Sequence, residues 1–156
     1  MARYHERSGG GFQQRNQQNV NPVLFDRTVL IVDDDADIRA SVEAVFRANG
    51  ARTMSCDNGN AAVRISLEHK PELVILDMML PGQSGFLVLE KIKGFEDSPL
   101  VIMITANEGK RHRDFATGLG ADRYLQKPVS LDVLLETAES LLRGDEVSDE
   151  DEEDAE

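Results

Sequence analysis

Unbroken apolar runs mark the centre of the predicted fold. They are TVLIV at 28–32, LVIL at 73–76 and LVIMI at 100–104. Strands buried on both faces of a parallel sheet have this composition, so each run predicts a central strand. ARTMSC at 51–56 and DRYLQK at 122–127 mix polar and apolar residues, as edge strands do. The pattern therefore predicts three central strands and two edge strands.

Helical periodicity occupies the segments between these strands. Apolar residues spaced three or four apart, together with candidate capping residues, predict five helices: 36–49, 59–69 after Asn58, a short helix after Ser84, 108–118, and a last helix that begins at Ser130. In the second helix we expect Ala62, Val63 and Leu67 to be buried.

Alternation of strand and helix predicts an α/β fold, a three-layer α/β/α sandwich. Right-handed crossovers, with the first, third and fourth strands central, give a parallel sheet of order 2-1-3-4-5. In such sheets, ligands bind beyond the carboxyl ends of the strands, where the strand order reverses. Asp33 and Asp34 follow the first strand and Asp77 follows the third, so we expect them at that point.

Both ends of the chain differ in composition from its middle. Residues 1–26 are rich in Gly, Gln and Asn and show no hydrophobic period, which predicts a disordered arm. Nine of the thirteen residues at 144–156 are acidic and none is basic, which predicts a disordered acidic tail. This tail carries −9 of the net charge of −12 and leaves −3 on residues 1–143. One domain at 27–143 is expected, without the basic surface of a nucleic-acid-binding protein.

Cysteine content and hydropathy suggest a compartment. The single cysteine, Cys56, cannot form an internal disulfide, which fits a reducing environment. The sequence contains neither an apolar signal segment nor a run of about 18 apolar residues. We therefore expect a cytoplasmic protein that does not contact a membrane.

Strand ends gather a set of reactive side chains at one edge of the sheet. The carboxylates of Asp33, Asp34 and Asp77 would repel one another unless a hard divalent cation such as Mg²⁺ lay between them. Thr105 ends the fourth strand and Lys127 ends the fifth. Each residue alone has an ordinary explanation as a helix cap, strand end or turn. Together, a carboxylate nucleophile, a metal, a hydroxyl and a lysine suit phosphoryl transfer.

These motifs resemble the receiver domain of response regulators in two-component signalling, over residues 28–143. The resemblance rests on IVDD at the first strand, LDMMLPGQSG at the third, MITA at the fourth and GADRYLQKP at the fifth. It implies a flavodoxin-like (βα)₅ fold. It also implies that Asp77 accepts the phosphoryl group, and that four residues bind Mg²⁺: Asp33, Asp34, Asp77 and Met79, the last through its backbone carbonyl.

Further roles follow from the same resemblance. Thr105, Ala106 and Lys127 would bind the phosphoryl group. Thr105 and Tyr124 would form a switch, and the peptide bond between Lys127 and Pro128 would be cis. Met79 cannot orient an attacking water by hydrogen bonding, and Asn107 lies at a second position that influences dephosphorylation in the family. We therefore expect a long-lived aspartyl phosphate.

Partners and output are implied as well. A histidine kinase or histidine phosphotransfer protein would supply the phosphoryl group, and the protein would catalyse only its own phosphorylation and dephosphorylation. The signal would pass to an unknown downstream protein, or to a homodimer, through the face of the fourth helix, fifth strand and fifth helix. Thirteen residues follow the last helix, too few for a DNA-binding domain, so we expect a single-domain regulator.

Three other classes of protein share part of this pattern. A haloacid-dehalogenase-like phosphohydrolase would need a second acid where Met79 stands, and a cap domain. A pseudo-receiver would keep the fold as an unphosphorylated binding module. A flavodoxin-type electron carrier would place a flavin phosphate against DDDAD at 33–37, where the negative charges would repel it.

Overall fold

Five strands and five helices alternate along the part of the chain that the computed structural model describes, residues 21–106 and 109–145. The strands are β1 (Thr28–Val32), β2 (Arg52–Cys56), β3 (Leu73–Asp77), β4 (Leu100–Thr105) and β5 (Arg123–Gln126). The helices are α1 (Ala36–Ala48), α2 (Gly59–His69), α3 (Gly85–Lys93), α4 (Lys110–Gly118) and α5 (Leu131–Arg143). None of the helices within these ranges is long and apolar enough to cross a membrane.

The strands form one parallel sheet in the order β2-β1-β3-β4-β5, which confirms the predicted topology. All five residues of β3 are buried, as expected of a strand covered on both faces. One apolar cluster joins the sheet to α2, α3 and α4, and a second joins its other face to α1 and α5. The three-layer sandwich is therefore confirmed, and the carboxyl ends of all five strands share one edge.

Capping side chains begin four of the five helices. Asp35, Asn58, Ser84 and Ser130 each accept a hydrogen bond from a backbone N–H of the first turn, which satisfies donors that have no partner within the helix. Helix α4 follows Gly109, which has no side-chain cap. The predicted start of this helix at 108 lies outside the described residues.

One predicted boundary needs correction, because residues 21–26 are not a disordered extension. They form a turn in which the Leu24 side chain is fully buried. Backbone hydrogen bonds hold this turn against the end of α1: Asn21 N–H donates to Asn49 O (3.1 Å) and Asp26 N–H to Gly50 O (2.8 Å). The rest of the arm, residues 1–20, and residues 146–156 of the tail lie outside the described residues.

Small side chains, rather than large ones, form the buried face of α2. Its buried residues are Gly59, Ala61, Ala62 and Ser66. A Cβ atom at Gly59 would lie 2.7 Å from the Cγ2 atom of Val88, a residue of α3. Because the two helices approach so closely, Leu67 points away and is 57% exposed, so the prediction that it is buried is wrong.

Candidate functional site

Three carboxylates meet at the carboxyl edge of the sheet, where β1 and β3 are neighbours. One oxygen atom each from Asp33, Asp34 and Asp77 lies within 4.8 Å of the others. Asp33 and Asp77 are buried and Asp34 is exposed. The strand order thus brings together the three acids that the sequence singled out.

Lys127 supplies a positive charge to this acidic cluster. Its Nζ atom lies 3.0 Å from Asp77 Oδ2 and 3.7 Å from Asp33 Oδ2. Burial lowers the pKa of Lys127, but the hydrogen bond to Asp77 and the charges of Asp77 and Asp33 together raise it above 10.5. The cluster thus combines three carboxylates with one ammonium, which pairs with two of them. The remaining negative charge is of the size that a divalent cation would balance.

Burial and the crowding of the three carboxylates shift the pKa of Asp33. Burial raises the pKa of Asp33, and the charges of Asp77 and Asp34 raise it further. The backbone N–H of Asp35, which donates to Asp33 Oδ1 at 2.9 Å, and the Lys127 ammonium act in the opposite direction. A cation bound between the carboxylates would therefore stabilise the ionised form of Asp33.

Asp77 is held in one orientation by donors to both of its oxygens. Met79 N–H donates to Oδ1 at 3.0 Å, and Lys127 donates to Oδ2. A hydrogen bond closes the loop after β3: Gly85 N–H donates to Met78 O at 2.8 Å. A Cβ atom at Gly85 would lie 2.5 Å from Met78 Cα, so only glycine fits behind the acid.

The proposed switch residues lie side by side. Thr105 is fully buried, and its hydroxyl lies 3.5 Å from Met78 Sδ. Burial raises the pKa of Tyr124, and an interaction with the Thr105 side chain partly offsets this effect. Ala106 follows β4 and is exposed at the same edge. The Lys127–Pro128 peptide bond is cis, and Asn107 lies outside the described residues.

Two features of the site were missed by sequence reasoning. The Nη1 atom of Arg39, on α1, donates to the backbone carbonyl of Asp33 at 2.7 Å. A cavity of about 630 Å³ opens between α1 and α5, with Asp33 and Lys127 in its wall. Neither feature has a sequence signal, because one uses a backbone acceptor and the other depends on how two helices pack.

Comparison with known proteins shows the family. The profile of the response regulator receiver domain matches residues 29–139. The phosphate regulon transcriptional regulatory protein PhoB of Pseudomonas aeruginosa is 33% identical over 123 residues, which cover 77% of this chain and 53% of that protein. The transcriptional regulatory protein YdfI of Bacillus subtilis is 33% identical over 118 residues, which cover 74% and 55%. This chain therefore spans about half the length of these curated relatives.

Solved structures agree with this assignment. A CheY-like response regulator receiver domain protein from Methanospirillum hungatei has a TM-score of 0.72 at 27% identity, over 76% of this chain and 94% of that one. The signal receiver domain of a LuxO repressor protein from Vibrio parahaemolyticus has a TM-score of 0.72 at 26% identity, over 76% and 92%. The chain belongs to the receiver domain family of two-component response regulators and has its flavodoxin-like fold. This membership argues against the phosphohydrolase and the flavin carrier.

Proposed function

We propose that Asp77 accepts a phosphoryl group from a phosphohistidine of a histidine kinase or histidine phosphotransfer protein. The observation that carries this proposal is the arrangement of Asp77, which is buried, paired with Lys127 and within 4.8 Å of two further carboxylates. The domain would act on itself as a signalling module rather than turn over a substrate.

The acidic cluster fits Mg²⁺. Mg²⁺ prefers oxygen ligands and keeps several waters beside one or two carboxylates, and Asp34 leaves one side of the cluster exposed to water. Asp33, Asp34, Asp77 and the backbone carbonyl of Met79 would hold the ion. When bound, it would supply positive charge that neutralises the phosphoryl oxygens.

Phosphoryl transfer can be written with the residues of this chain. A carboxylate oxygen of Asp77 forms a bond to phosphorus, the bond from phosphorus to the donor histidine nitrogen breaks, and its electron pair returns to the imidazole. Lys127 would turn its ammonium toward the phosphoryl oxygens, which also receive hydrogen bonds from Thr105 and the backbone of Ala106. Lys127, which holds Asp77 before transfer, would thus become a ligand of the product.

Output would depend on the contact between Thr105 and Tyr124. If the Thr105 hydroxyl moves toward the phosphoryl group, Tyr124 repacks and alters the face of α4, β5 and α5. Driving a two-state switch from 1:99 to 99:1 requires about 5.5 kcal/mol. Two to four hydrogen bonds to a charged group, at about 1.5–3 kcal/mol each, suffice. A downstream protein or a second copy of the chain would bind this face.

The proposal is tested with acetyl phosphate as donor and intact-mass spectrometry as readout. The wild type is expected to gain one phosphoryl group in the presence of Mg²⁺ and none with a chelator. Asp77→Asn should gain none. Asp97→Asn, an exposed acid in an ion pair with Lys70, should behave as the wild type. A wild type that gains nothing would favour the pseudo-receiver instead.

A further inference from the structure

Asp34 is the member of the acidic cluster whose side chain has no support. Its carboxylate is exposed and, within residues 21–106 and 109–145, makes no hydrogen bond or ion pair. Asp33 accepts the Asp35 N–H, and Asp77 has donors on both oxygens. The direction in which Asp34 points is therefore set by the backbone that carries it.

Arg39 holds that backbone. The carbonyl that accepts its Nη1 atom at 2.7 Å belongs to the peptide group joining Asp33 to Asp34. A peptide group is planar, so fixing its oxygen also fixes the nitrogen of Asp34. On the other side of Asp34, the Asp35 N–H is held by Asp33 Oδ1 at 2.9 Å. Asp34 is thus presented from a short segment that is fastened at both ends.

Charge pairing does not explain Arg39. Although the N-terminal end of α1 is rich in aspartate, the guanidinium forms no ion pair in the part of the chain that the structure describes. Its half-buried side chain is instead committed to a carbonyl. By charge alone, a cation at this place would repel a divalent ion. The two effects of Arg39 on metal binding, orientation and repulsion, therefore have opposite signs.

We propose that Arg39 is a positioning residue of the acidic cluster, which aims Asp34 at the metal by orienting the peptide group between Asp33 and Asp34. This inference rests on the proposed function for the identity of the ion. Outer-shell partners of metal ligands typically contribute about 10–100-fold in affinity. Since the repulsive charge is removed with the guanidinium, the lower end of that range, about tenfold, is expected on its loss.

The test is a calorimetric Mg²⁺ titration of the full chain and its variants. Arg39→Met, which keeps the apolar stem, should bind about tenfold more weakly. Arg39→Lys, which keeps the charge and an ammonium donor but loses the planar guanidinium, should fall between it and the wild type. Arg47→Met is the matched control, because Arg47 lies on the same helix and pairs with Glu43. A second readout, without metal, is the backbone amide NMR shift of Asp34, which should move in Arg39→Met and not in the control.

The outcomes separate the inference from the proposed function. Unchanged or tighter Mg²⁺ binding in Arg39→Met would overturn the positioning role alone. No binding by the wild type would overturn the metal site and this inference with it. If Arg39→Met does not fold, Arg39→Lys decides, because its ammonium keeps the charge without the planar guanidinium. Unchanged affinity in that variant would then refute the role.

Discussion

Replacing Lys127 with methionine should expose the charge balance of the acidic cluster. The Lys127 side chain is 31% exposed, whereas those of Asp77 and Asp33 are 4% and 9% exposed. Methionine keeps most of the apolar stem and removes the ammonium. In the variant, the buried carboxylates of Asp33 and Asp77 and the exposed carboxylate of Asp34 would remain close together. The ammonium that now lies 3.0 Å from Asp77 would be gone.

The size of the effect follows from this burial. Removing one partner of a buried ion pair costs about 3–5 kcal/mol, and the lower end applies because the ammonium reaches water. With a urea dependence of about 2 kcal/mol per molar, a loss of about 3 kcal/mol lowers the urea midpoint by about 1.5 M. A ligand at a hundred times its dissociation constant adds about 2.7 kcal/mol to the free energy of unfolding. Added Mg²⁺ should therefore restore most of what Lys127→Met loses.

Urea denaturation followed by circular dichroism, with and without Mg²⁺, measures both effects. Lys93→Met is the matched control. Its ammonium is also half-buried, lies 3.0 Å from Asp122 Oδ2 and donates to Pro99 O. That ion pair lies near the starts of β4 and β5, far from the acidic cluster. Lys93→Met should lose stability too, but Mg²⁺ should add no more to it than to the wild type.

The pH dependence has a definite sign. Because the folded protein raises the pKa of Lys127 above 10.5, the stability that this pair contributes is complete below that value. It is lost as the pH rises through the folded pKa. The gap between wild type and Lys127→Met should accordingly close in strong alkali. Equal stabilisation of wild type and Lys127→Met by the same Mg²⁺ concentration would refute the reasoning, since removal of a repelling cation must strengthen metal binding.

Two predictions concern the loop after β3. Met79 lies two residues after Asp77 and is 63% exposed. Met79→Asn, whose amide can orient water, should shorten the aspartyl phosphate lifetime severalfold, whereas Met79→Leu should leave it unchanged. Equal rates of phosphate loss in the two variants would contradict this. Gly85→Ala places a Cβ atom 2.5 Å from Met78 Cα and should cost about 1–3 kcal/mol of stability and slow phosphorylation, whereas Gly118→Ala, with nothing within 4 Å, should not.

Much of the fold could be predicted from the sequence, because a strand that is buried on both faces must consist of apolar residues. β1 and α2 have the predicted bounds, Thr28–Val32 and Gly59–His69. A central strand must be apolar on both faces, and a helix must begin where its N–H groups find an acceptor. The site followed from topology, because parallel strands deliver their last residues to one edge. That placed Asp33 and Asp77 together before any contact was known.

The features that the sequence did not predict depend on contacts between residues that produce no recognisable pattern in the sequence. Leu67 is exposed because α2 approaches α3 through small residues, and a hydrophobicity rule prefers the larger side chain. Leu24 belongs to a short apolar run, Val23 to Phe25, at the end of a polar segment. Three residues without a period are too few to predict order, yet the Leu24 side chain is fully buried in the core. Arg39 binds a carbonyl, and every residue offers one. Such details are set by packing geometry rather than by residue type.

Both ends of the described chain leave from the edge of the sheet opposite the acids. Asn21 pairs with Asn49 after α1, and Asp145 accepts a hydrogen bond from Arg123, the first residue of β5. A five-residue strand spans about 16 Å, so the two edges of the sheet lie about that far apart. A molecule tethered to a surface through residue 21 or residue 145 would present its acidic edge outward, free for a bulky protein donor to approach.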